Sequence, residues 1–195
     1  MSELAGPLYM FDGMAPVVAA DAFVAPTAAV IGDVQIGALS GIWFHCVLRG
    51  DTNFIRIGAR TNIQDGTIIH VNGSDFPTVI GDDVTVGHAA IIHACTLHDR
   101  AFVGMGATVL DGAVIEAGGM LAAGSLLTPN KRIGPNELWQ GTPARLNRVM
   151  TAEEQAKFEL TAAHYVELAR RFREKLVSIK QGHGSALDPI PYITS

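Results

Sequence analysis

The chain has 195 residues, 48% of them hydrophobic and 17% charged, which suits one well-cored domain with an appendage and excludes a disordered chain. A net charge of -5 offers no electrostatic attraction for nucleic acid, and no long apolar run or basic leader marks a membrane span or an exported chain. Two cysteines, Cys46 and Cys95, make no disulfide framework, so a reducing cytoplasm is the expected location.

In chain order, the first pattern is a six-residue clock. Aliphatic residues recur at Val24, Val30, Ile36, Ile42 and Leu48, then after a jump of nine at Ile57, Ile63 and Ile69. A jump of eleven leads to Ile80, Val86 and Ile92, and a step of five to Leu97, Val103, Val109, Ile115, Leu121, Leu127 and Ile133. Each hexad reads as one short strand and a turn, and three hexads as one coil of a triangular left-handed parallel β-helix. Glycine often follows the inward aliphatic, as at Gly37, Gly58, Gly81, Gly87, Gly104 and Gly134, where a side chain would crowd the bend. Coils one strand spacing apart, ~4.8 Å, give a prism roughly 30 Å tall. The breaks mark a short insertion near Thr52 to Phe54 and a larger one near Asn72 to Thr78.

The clock stops at Ile133, and Gly141-Thr142-Pro143 reads as a loop. Thr151 with Glu154 forms a capping box ahead of an apolar stripe, Phe158, Ala162, Tyr165, Leu168, Phe172 and Leu176, at helical spacing. The expected organisation is a β-helix with its lead-in over 1–145, a C-terminal helix over 146–180 and a loose, Gly- and Pro-bearing tail over 181–195.

Counting hexads onto three faces places the polar residues. Leu48, Ile69 and Ile92 share one face, and the residues just after them are Arg49, His70 and His93, one rung apart. Stacked imidazoles ~4.8 Å apart can share a metal ion whose bonds to nitrogen run ~2.0–2.1 Å. His88, two residues after Val86, belongs to another face, above Asp65 and beside Gln64. One prism does not readily bring His88 to the His70–His93 pair, but a neighbouring prism does, which favours a symmetric oligomer, most simply a trimer. His45, His98, His164 and His183 fall outside the column and read as ordinary polar residues, and Cys95 as packing.

The stretch Val47-Leu48-Arg49-Gly50-Asp51, then Asn62-Ile63-Gln64-Asp65-Gly66 leading to His70, then Gly87-His88, His93 and the later Gly141-Thr142-Pro143-Ala144, resembles the gamma-class carbonic anhydrase family, most of all its short bacterial branch. The likeness covers roughly residues 8 to 176. It implies a homotrimer with metal sites between subunits, His70 and His93 from one chain and His88 from its neighbour. It further implies Arg49 paired with Asp65 across the interface, Asp51 within reach, and Gln64 hydrogen-bonded to the metal-bound water or bicarbonate. Zinc is the default ion, with iron(II) and cobalt(II) as alternatives. The implied reaction is hydration of carbon dioxide to bicarbonate by a metal-bound hydroxide.

Two departures bear on rate. The best-studied members carry a glutamate where this chain has Thr52, and an acidic residue in the loop where only Asp75 is offered, so proton export is expected to be slow. Tyr165 has two readings, a helix residue reaching the site, as in some relatives, or a core-packing tyrosine. Other functions stay open: a metal-dependent hydrolase of acyl-CoA thioesters, a metal-free hexapeptide acyltransferase with a single catalytic histidine, and a non-catalytic assembly subunit that keeps the metal as structural glue.

Overall fold

The computed structural model describes residues 6–73 and 75–179. Short parallel strands wind into a left-handed β-helix of about seven turns, closed by one C-terminal helix. The strand register resolves the hexads into three columns. Val30, Leu48, Ile69, Ile92, Val109 and Leu127 stack on the first face. Ile36, Ile57, Ile80, Leu97, Ile115 and Ile133 stack on the second. Val24, Ile42, Ile63, Val86, Val103 and Leu121 stack on the third. All eighteen are buried, and each fully buried Ile or Leu contributes about 1.5–3 kcal/mol relative to exposure.

The columns run one step further at both ends than the aliphatic count does. Val18 pairs with Ile36, and Trp139 stacks in register on Leu121. Trp139 ends the third column, and its indole N–H donates to Glu137 Oε2 at 2.8 Å. The strand containing it, Glu137–Gly141, pairs antiparallel with Ala144–Val149, a strand that neither the hexad nor the helical period reveals.

The glycines after the inward aliphatics are required by close approach of the next coil. A Cβ on Gly58 would come within 2.6 Å of the Gly81 carbonyl carbon. The helix spans Ala152–Lys175, capped by Thr151 and Glu154 in the expected box, and Glu154 also takes both guanidinium nitrogens of Arg148. Tyr165, Leu168 and Phe172 pack its inner side against the prism around buried Phe23 and Trp43. The tail from 181 and His183 lie outside the described residues. No helix among the described residues is long and apolar enough to cross a membrane.

Both insertions leave the first face next to the column of Arg49, His70 and His93. On Val47–Ile57, Asp51 to Phe54 bulge opposite the single residue Asp33, since Gly50 pairs with Gly32 and Ile55 with Val34. After His70 a turn closes with reciprocal Asn72–Phe76 backbone hydrogen bonds of 3.1 and 3.2 Å.

Candidate metal centre

The register sets Arg49 beside His70 and His70 beside His93, on adjacent rungs of one outward column. The two imidazole centroids lie 5.2 Å apart, and His70 Nδ1 and His93 Nε2 face each other at 3.2 Å. Each outer nitrogen meets a carboxylate: His70 Nε2 lies 3.0 Å from Asp51 Oδ1, and His93 Nδ1 lies 2.5 Å from Asp111 Oδ1. Burial pushes both carboxyls up. Hydrogen bonds outweigh it, from His70 and Arg49 at Asp51 and from His93 and Asn72 at Asp111, and hold both below the usual carboxylate range.

Tautomers follow from that charge. An ionised carboxylate only accepts, so His70 Nε2 and His93 Nδ1 carry the ring protons. When both rings are neutral, the nitrogens facing each other are two lone pairs, an arrangement that a cation between them relieves. Two ligands of a tetrahedral ion with bonds of ~2.0–2.1 Å stand ~3.3 Å apart, so the pair fits a divalent ion of zinc's size. Carboxylates behind the rings are the usual support for imidazole ligands.

Arg49 pairs within the chain with Asp51, which the bulge carries to it and to His70. His88 belongs to a separate cluster on the third face, its Nδ1 2.9 Å from Asp65 Oδ2, while Asp65 Oδ1 accepts the Phe44 N–H at 3.1 Å. Among the described residues of one chain, no three His, Cys, Asp or Glu side chains converge as a metal-holding group. Gln64 is buried and oriented: its Nε2 donates to Asn62 Oδ1 at 3.0 Å, and Asn62 Nδ2 donates to Thr85 Oγ1 at 2.9 Å. Tyr165 stands edge-on to Trp43, with ring centroids 5.4 Å apart, and burial and then the charge of Asp65 raise its pKa. Thr52 donates its backbone N–H to Asp51 Oδ1, and His98 pairs with Glu116 at 3.6 Å, away from the column. Cys46 and Cys95 are buried thiols, Cys46 pushed up to about 12 by burial.

Asp111 and Asn62 touch candidate site residues, Asn72 touches Asp111, and the sequence pattern alone does not single them out. A signal for Asp111 exists: it stands two positions past Val109, the next rung of the face that carries the histidines.

A parallel prism built on such hexads defines the class, a hexapeptide-repeat solenoid. No family model matches the chain. It is 55% identical over 166 residues to gamma carbonic anhydrase 2, mitochondrial, of Arabidopsis thaliana, covering 83% of this chain and 59% of that protein. The chain thus spans about 60% of the length of the plant relatives it matches. It is 44% identical to the carbonic anhydrase of Geobacillus kaustophilus, covering 85% of this chain and 91% of that one. The solved structure of a hexapeptide transferase family protein from Anaplasma phagocytophilum superposes with a TM-score of 0.82 at 48% identity, covering 90% of this chain and all of that one. The chain belongs to the gamma-class carbonic anhydrase-like family.

Proposed function

We propose that the protein is a metal-dependent carbonic anhydrase-like enzyme that hydrates carbon dioxide reversibly to bicarbonate at a site completed between subunits of a homotrimer. The observation that carries this reading is the facing pair of imidazole nitrogens 3.2 Å apart, each ring backed by a carboxylate. His70 and His93 of one subunit and His88 of a neighbour would hold the ion, zinc by default, with iron(II) and cobalt(II) as alternatives. An ion held by three neutral imidazoles would supply Lewis acidity that lowers the pKa of a bound water to about 7.

The chain's own residues do the rest. Asp51 holds the His70 proton on Nε2 and anchors Arg49. A guanidinium has donors to spare, so Arg49 can also engage Asp65 of the adjoining subunit. Asn62 takes the amide N–H of Gln64 and so leaves the Gln64 carbonyl oxygen as the end that receives a proton donor such as water. Ile68 and Ile91, 47% and 42% exposed and in register beside the histidines, give a neighbouring prism apolar surface to bury. Tyr165 is assigned to packing under the helix. With Thr52 and a single loop acid, Asp75, in place of the acidic pair, proton export limits turnover. The cytoplasm is the proposed location; the Arabidopsis relatives are named mitochondrial.

The test is metal per subunit in anaerobically purified protein, with carbon dioxide hydration followed by stopped flow. Stoichiometric metal with slow hydration is expected. Metal without hydration contradicts the activity and shifts weight to thioester hydrolysis. A second reading, an acyltransferase, is favoured by the name of the Anaplasma structure, and acyl transfer from a coenzyme A thioester by metal-free protein would select it.

A further inference from the structure

Resting on that metal reading, we infer that Asp111 is the positioning residue that fixes the tautomer and aim of His93, and that Asn72 ties it to the turn leaving His70. The carboxylate is bonded on both sides: Oδ1 faces His93 Nδ1 at 2.5 Å and Oδ2 accepts Asn72 Nδ2 at 2.5 Å. Asn72 opens the Asn72–Phe76 turn, which Asn53 holds from the other side by donating Nδ2 to Gly73 O at 2.7 Å. Next to Asp111, Gly112 has φ +67°, and a Cβ there would come 3.2 Å from Phe76 Cε1, so turn and rung are packed together as well as hydrogen-bonded.

The consequence is a bracketed pair. Asp51, from the coil before His70, holds one ring, and Asp111, from the coil after His93, holds the other. Neither ring can turn over without breaking a charge-assisted hydrogen bond. Asp111 touches no substrate in this scheme. It acts through His93, which an acceptor on the far side keeps as an Nδ1–H, Nε2-lone-pair imidazole.

The experiment titrates Zn2+ alone into metal-free full-length wild type, D111A, D111N and the D111N/N72D double variant. In parallel, 15N NMR reads the His93 tautomer in each metal-free protein. The wild type is expected to show Nδ1–H. D111A should lose that preference and bind Zn2+ about 10–100-fold more weakly. D111N keeps an oxygen for His93 but opposes its new amide to that of Asn72, so it should lose less than D111A, and N72D should restore it in part. The double variant keeps the comparison available if D111A fails to fold. Wild-type Zn2+ binding with unchanged affinity in D111A and D111N, or Nε2–H on His93 in the wild type, overturns the inference. Failure of the wild type to take Zn2+ overturns the metal reading alone, and the tautomer measurement still decides the role of Asp111.

Discussion

His93→Ala is expected to remove stoichiometric zinc and to lower carbon dioxide hydration by more than about 100-fold, since loss of an outer-shell partner alone costs about 10–100-fold. The substitution leaves His70 Nδ1 without its facing lone pair and frees Asp111 and Asn72 from the ring they hold. Because His93 is outward and partly exposed, with the neighbouring Ile92 carrying the inward contact, the prism itself should persist. Elemental analysis and stopped flow on the variant beside the wild type check this, with far-UV circular dichroism to show that the solenoid is intact. Unchanged metal content in the variant would remove His93 from the ligand set.

Ile115→Ala should cost about 2–5 kcal/mol of stability and leave metal content unchanged. Ile115 is fully buried between Leu97 and Ile133 on the second face, and no candidate site residue lies on its strand, Val114–Ile115. The rungs above and below are tied by backbone hydrogen bonds on either side, Thr96 N–H to Ala113 O at 3.0 Å and Glu116 N–H to Ile133 O at 3.0 Å. They cannot collapse far into the space left, which places the cost within the usual range for a buried aliphatic truncation. Urea unfolding of metal-free protein measures it. A loss below about 1 kcal/mol would mean that the stacked columns are not what holds the coils together.

Most of the solenoid is legible in the sequence because its buried positions are chemically uniform: one aliphatic per hexad, three hexads per coil, so counting is equivalent to register. That is why Leu48, Ile69 and Ile92 stack as counted, and why Arg49, His70 and His93 follow them in one column. The count ends at Ile133 because it admits only aliphatics, while the next position six residues on is the larger Trp139. The closing hairpin, Glu137–Gly141 with Ala144–Val149, carries neither period and leaves no such signal.

The site divides in the same way. His88 over Asp65 is legible, being two residues past stacked aliphatics, and the side chains meet at 2.9 Å. Arg49 turning to Asp51 depends on the Asp51–Phe54 bulge, which the clock records only as a break. Asp111 lies within reach of the count, two positions past stacked Val109, whereas Asn72 escapes it because it stands on an inserted turn, and their contact is set by side-chain geometry.

The proposed metal site needs histidines from two chains. In the proposed homotrimer, His88→Ala and His93→Ala subunits, co-expressed with different tags and purified through both, would yield only mixed trimers. In a cyclic trimer of either composition, a single interface pairs an intact His70–His93 pair with an intact His88. About one metal ion per mixed trimer is therefore expected, with none in either parent variant. Mixed trimers that hold no metal, while wild-type trimers hold about three, would contradict a shared site.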